Sequence, residues 1–498
     1  MENGLNKKYG LLTAICMVVG IVVGSGVFFK AQTILQKTEG NMVMGIWAWL
    51  IGGAIMLCCI AAFSIMATKY EKVNGIVDYA EATVGRKYGY VVGWFLTMIY
   101  YPTLTSVLAW LSARYTLVFL TSAFPDKITL VIPAAEGGCV IGPECMALSV
   151  FFLCAAYAVN ALSPKIAGHF QVATTIIKLI PLLLMAVVGI IVGLASDQGL
   201  LLENMANPGA ETTGNPLFGA IVATAFAYEG WIIATSINAE LKDAKRNLPI
   251  ALIAGGIIIV AIYLFYYIGV AGGATVEDLM HDGATTAYLN IFGGAFGNIL
   301  NLFVAISCMG TLNGLMLGCT RGIYAVATRG EGPHPEMFRQ VDKVTNMPNN
   351  ASILGLLLCG FWFLFFYGSN LAAFGWFGLF SFDSSELPIV TIYALYIPIY
   401  LMFMKKATDL SFTRRYLIPA LGLIGSVFMV CAAIYAHGIQ PYLAAKASGG
   451  FACPIVFYLI FFAVVLVWGL AHYKNRQAGA RTPQASAVSA PEVGQKCT

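Results

Sequence analysis

Charge is what this sequence has least of: Asp, Glu, Lys and Arg together make up 10% of its 498 residues, and histidine occurs five times. Soluble globular domains carry about 25% charged residues, so a chain this poor in them cannot keep most of its surface in water. The histidines show no HExxH spacing and the 12 cysteines no CxxC pair, so neither a metal site nor a cofactor is expected. Most cysteines, Cys58, Cys59, Cys154, Cys308, Cys359 and Cys431 among them, sit inside apolar stretches and read as small hydrophobes. Only Cys139 and Cys145 share a polar loop, where a bridge and two free thiols are both open readings. No nucleophile constellation interrupts the apolar runs, which argues against a membrane-embedded enzyme. No repeated polar lining is present either, which argues against a channel.

Hydrophobic residues, by contrast, make up 59% of the chain. A membrane-spanning helix needs about 20 mostly apolar residues. Runs of that kind lie near 10–29, 42–68, 88–120, 146–162, 167–194, 216–237, 249–273, 289–327, 351–366, 371–404, 416–435 and 451–472, predicting an all-α protein of twelve spans. The first run has no small-residue cleavage site, so it reads as a retained helix rather than a signal peptide. With the N-terminus on the cytoplasmic side, all but six of the 28 basic residues fall on that side, the six being Lys30, Lys37, Arg114, Lys127, Lys178 and Lys446. Such asymmetry predicts both termini inside. Residues 1–9 read as a cytoplasmic lead and residues 473–498, rich in Ala, Ser, Pro and Gln towards the end, as a disordered cytoplasmic tail.

Two spans carry breaks. In the first, Gly20, Gly24 and Gly26 surround Ser25 and lead into Val27 and Phe28; in the sixth, Phe226-Ala227-Tyr228-Glu229-Gly230-Trp231 places an acid at comparable depth. Glycines within a span serve close helix packing or an unwound segment, and both readings apply to the first break. A mid-membrane carboxylate costs several kcal/mol unless it faces protein or water, so Glu229 marks a functional position. Interrupted helices five spans apart fit an inverted repeat, residues 10–194 against 216–404, with residues 414–472 as two peripheral helices. Unwinding aims N–H groups at an anion and carbonyls at a cation, which suits the carboxylate and ammonium of an amino acid.

These residues resemble the amino acid/polyamine/organocation superfamily, within it the L-type amino acid transporters and the bacterial serine/threonine exchangers. The likeness runs over about residues 8–405. It rests on Gly24-Ser25-Gly26-Val27-Phe28; on Phe226 to Trp231 followed by Glu240 and Asn247-Leu248-Pro249; and on Gly310-Thr311-Leu312-Asn313-Gly314 followed by Arg321, Tyr324 and Arg329-Gly330-Glu331-Gly332-Pro333. The resemblance implies a LeuT-like bundle of five plus five helices, discontinuous at helices 1 and 6, working by alternating access. It implies substrate-binding residues Gly24, Ser25, Gly26, Val27, Phe226, Ala227, Tyr228, Glu229 and Gly230. Amides around Ser25, Gly26 and Val27 would hold the carboxylate, carbonyls around Phe226, Ala227 and Glu229 the ammonium, and Phe226 would be the lid.

Lys178 lies about 16 Å into the fifth span at 1.5 Å per residue, too deep to reach water easily. The family has a lysine in this setting, thought to stand in place of a sodium ion, which implies sodium independence. A buried ammonium is equally a candidate proton carrier, and both readings stay open. The sequence departs from its relatives at Phe63-Ser64-Ile65-Met66, where an acid is usual. It departs again at Ser381-Phe382-Asp383-Ser384-Ser385-Glu386, where relatives are apolar. Asp383 and Glu386, with Tyr101, are expected at the side-chain end of the pocket, and with Glu229 they predict a preference for cationic amino acids. The expected activity is sodium-independent amino acid exchange across a bacterial cytoplasmic membrane, with proton-coupled symport or polyamine antiport as the rival. Small amino acids and the bilayer are the expected partners. The cysteine-bearing loop does not match the glycoprotein-linked animal relatives closely, so no such partner is expected, and nothing points to nucleic acid.

Overall fold

The computed structural model describes residues 10–70, 75–125, 127–128, 130, 142–162, 164–195, 200–210, 215–234, 241–342, 347–371 and 375–473. Cys139, Glu240 and the tail from residue 474 on lie outside them. The described part is all-helical. Two helices, α1 (Leu11–Val22) and α2 (Gly26–Lys37), are together apolar enough to make one span and are bent by 49° at the break between them. Next come α3 (Met42–Lys69), α4 (Arg86–Ala123), α5 (Pro143–Leu162) and α6 (Ala173–Ala195). A shorter apolar helix, α7 (Pro216–Ala227), precedes α8 (Lys245–Ala271), α9 (Ala284–Thr328), α10 (Asn349–Leu371), α11 (Leu387–Lys406), α12 (Thr413–Ala447) and α13 (Pro454–Ala471). Among the described residues, ten helices are long and apolar enough to cross a membrane singly, and the bent pair makes eleven.

Three boundaries differ from the sequence expectation, each for a local reason. The first span does not end near residue 29, because the chain restarts a helix at Gly26 and carries it to Lys37. The tenth run begins as a helix only at Leu387: Gly375 and Gly378 hold positive φ (53° and 52°), and Pro388 then sits in the first turn, where its missing N–H costs nothing. Asp383 and Glu386 therefore precede the helix rather than line it. The eighth run is one long rod only in outline, since Gly293 (φ 78°, ψ 166°) kinks α9 near its start.

Helices α6 and α8 touch backbone to backbone. A Cβ on Gly269 would lie 1.9 Å from the Met185 carbonyl oxygen, and one on Gly272 2.1 Å from that of Gly189. Lipid offers no hydrophobic drive for helix pairing, so such close approach supplies the dispersion that holds spans together. Gly269→Ala is therefore expected to destabilise by about 2 kcal/mol or more, read as a lower melting temperature in detergent, because a backbone carbonyl cannot move aside.

Candidate substrate site

The two breaks lie side by side. A Cβ on Gly26 would meet Ala227 Cα at 2.7 Å and the Phe226 carbonyl oxygen at 3.1 Å, so the α2 start and the α7 end abut through backbone. Gly230 turns the chain with φ 105°, a conformation L side chains rarely adopt, and passes close to the Ile21 carbonyl. Each break frees backbone groups. The N–H groups of Gly26, Val27 and Phe28 open α2 and have no partner inside it, while Phe29 already donates to the Ser25 carbonyl at 3.1 Å. The Ser25 hydroxyl is buried without a hydrogen-bond partner. At the other break, the Tyr263 hydroxyl of α8 reaches both the Val22 and the Ala227 carbonyl at 3.1 Å, tying the broken ends together.

A cavity of about 560 Å³ opens between these segments. Gly24, Ser25, Gly26, Phe226, Ala227, Glu229 and Gly230 line it, as do Lys178, Tyr100, Tyr101, Thr311 and Arg321. Lys178 is buried, and its ammonium donates to the Gly20 carbonyl, one turn before the break. Phe226 stands with Phe29 at a ring distance of 6.1 Å, and Phe29 meets Trp110 at 5.8 Å, closing one end in aromatic rings. Towards the other end the lining reaches Arg329 and Glu331. Around it Arg86 pairs with Glu331 at 2.7 Å, and Arg329 with Asp78 and Glu81 at 2.9 Å each. Burial pushes the Glu331 carboxyl up, against the opposite pull of Arg86.

Four expected residues are elsewhere. The Tyr228 hydroxyl donates to the Trp49 carbonyl at 3.0 Å and its ring stacks on Tyr263, behind the cavity. The Val27 side chain is buried and absent from the lining. Asp383 accepts from the backbone N–H groups of Ser385 and Glu386 and from the Ser385 hydroxyl, so it organises a turn. Glu386 is neutralised within the protein, paired with Lys30 at 2.7 Å, Lys37 at 2.8 Å and His437 Nε2 at 3.1 Å. Of the three acids expected around the substrate, only Glu229 lines the cavity. Buried Lys30 signalled that it needed an acid, but which acid, 356 residues on, is not written in one sequence.

The sequence profile of the amino acid permease family matches residues 9–462. The chain belongs to that family. It is accordingly a multi-pass membrane transporter of amino acids and not an enzyme. The permease is 28% identical over 441 residues to the serine/threonine exchanger SteT of Bacillus subtilis (strain 168), covering 86% of this chain and 91% of that one. It is 25% identical over 363 residues to Asc-type amino acid transporter 1 of Mus musculus, covering 71% and 63% respectively. Among solved structures, the crystal structure of MhsT in complex with L-phenylalanine matches with a TM-score of 0.57 at 15% identity, over 87% of this chain and 100% of that one. At that identity the likeness speaks for the fold alone. Among the described residues of the permease, no group of three or more His, Cys, Asp or Glu side chains could hold a metal ion.

Proposed function

We propose that the permease is a sodium-independent amino acid exchanger of the cytoplasmic membrane, working by alternating access around the two broken helices. The observation that carries this reading is the abutment of a helix N-terminus, α2, with the carbonyl end of α7 at one cavity. The freed amides of Gly26 and Val27, with Ser25, suit a carboxylate, and carbonyls two or three residues along the partner break suit an ammonium. Since Tyr263 already engages the Ala227 carbonyl, the ammonium falls to the Phe226 and Glu229 carbonyls. Phe226 covers the substrate. In this reading α7 and the short helix Trp231–Ala234 form one broken span, giving twelve spans in all. The repeats run from α1 to α6 and from α7 to α11, with α12 and α13 peripheral. The end bearing Arg86, Arg321 and Arg329 faces the cytoplasm, by the excess of basic residues there.

Lys178 supplies a fixed positive charge on α6 against the α1 break, where a coupling cation would otherwise be needed. A hydrogen bond from a charged donor contributes about 1.5–3 kcal/mol, so Lys178→Ala is expected to lower the exchange rate by about tenfold or more. Initial uptake rates in proteoliposomes check this. The decisive test of the reading itself is radiolabelled amino acid uptake in sodium-free proteoliposomes. Uptake should appear only when an unlabelled substrate is trapped inside. Accumulation in empty vesicles under an imposed proton gradient would replace exchange by symport and make Lys178 or Glu229 its proton site.

A further inference from the structure

The Glu229 carboxylate is fully buried in the cavity wall, and neither of its oxygens has a hydrogen-bond partner. The Tyr100 hydroxyl and the Gly230 N–H face it without closing a bond of ordinary geometry. An ionised carboxylate left bare in such a place costs several kcal/mol, so it must be neutralised either by a proton or by a cation brought in with the cargo. Among the described residues, the buried lysines and arginine are engaged elsewhere: Lys178 with the Gly20 carbonyl, Lys30 with Glu386 and Arg114 with Gln32. Other polar groups nearby are also unspent. The hydroxyls of Tyr393 and Tyr396 on α11 are buried without partners and lie within electrostatic reach of Glu229.

The local backbone explains how two tyrosines reach the cavity together. Successive residues of an α-helix point about 100° apart, but Leu96–Tyr100 forms a π-turn in α4, and Tyr100 and Tyr101 both line the cavity with rings 5.5 Å apart. Aromatic faces with a carboxylate among them are the chemistry that recognises an organic cation.

We propose that Glu229 and Tyr100, backed by Tyr393 and Tyr396, form a side-chain subsite for a cationic terminus, making the cargo amino acids that end in an ammonium or guanidinium group. This rests on the reading that an amino acid main chain docks at the α2 and α7 ends. The subsite takes over the role that Asp383 and Glu386 do not fill.

Lysine against norleucine tests it, because norleucine keeps the main chain and most of the side chain and loses only the ε-ammonium. Titrations of purified permease in detergent should show lysine binding about tenfold or more tighter than norleucine, the worth of one charge-assisted hydrogen bond. Glu229→Gln should bring that ratio towards one. Tyr396→Phe, which removes only a hydroxyl, should narrow it part-way. Equal or tighter binding of norleucine by the unmodified protein would overturn the subsite while leaving the amino acid reading intact. Failure of both ligands, together with a panel of neutral amino acids, would overturn that reading instead. If Glu229→Gln binds nothing, the ratio in the unmodified protein still decides. A ratio near one combined with proton-driven uptake of both ligands would make Glu229 a proton site and sink the proposal.

Discussion

Glu386→Gln is expected to cost about 3–5 kcal/mol and to show as a loss of monodisperse protein and a lower melting temperature in detergent. The carboxylate is fully enclosed and serves two lysines and a histidine at once. Lys30, 1% exposed, loses its counter-charge in the variant and has no route to water. Its remaining neighbours are the Ser385 hydroxyl at 3.4 Å and the faces of Phe29 and Phe226, at 4.9 and 5.3 Å from the ammonium, and they offset only a fraction of the loss. Lys37, whose side chain is 28% exposed, can turn outward, so the damage centres on Lys30. The double variant Lys30→Met, Glu386→Gln should therefore recover much of the melting temperature, since breaking a buried pair costs more than deleting it. A double variant no better than the single one would show that the cluster's worth lies in the Lys37 and His437 links.

The second large effect is expected at Gly26, where an added methyl group would sit 2.7 Å from Ala227 Cα and 3.3 Å from Ala227 N. These are backbone atoms of the facing break, so the two broken ends must separate. Overpacking costs of about 1–3 kcal/mol fall on the geometry that presents the amides to a carboxylate, which corresponds to roughly a five- to hundredfold loss of exchange. Because α1 and α2 are already bent apart, the fold should survive, and melting should shift far less than for Glu386→Gln. Exchange assays and melting curves on the same preparation separate the two. Retained exchange in Gly26→Ala would mean that the breaks do not meet this closely in the working protein.

Much of the fold was legible because lipid imposes a simple rule: backbone groups must be satisfied within the segment, over about 20 apolar residues. Within the described residues the apolar runs consequently appear as helices, apart from the two breaks and the stretch before Leu387. Their ends were less legible, because turns at Gly375, Gly378 and Pro388 decide locally where a helix can start. The candidate site was legible at Gly24 to Gly26, at Glu229 and at Lys178, because each violates what a lipid-embedded helix tolerates without a reason. Tyr100 and Tyr263 gave no comparable signal, since a tyrosine in a span is ordinary and only the π-turn and the crossing of α8 make these two matter.

By itself, then, the sequence determined a membrane bundle of broken and unbroken helices with an acid buried in its sixth apolar run, through composition, run length and misplaced glycine and charge. Only the tertiary structure decided which charges meet. Glu386 reads as a pocket acid on paper and is a structural counter-ion in space, while both Glu229 oxygens are left without a hydrogen-bond partner in the cavity wall. Ion pairing depends on distances of a few ångströms between segments hundreds of residues apart. Chain order carries no such information.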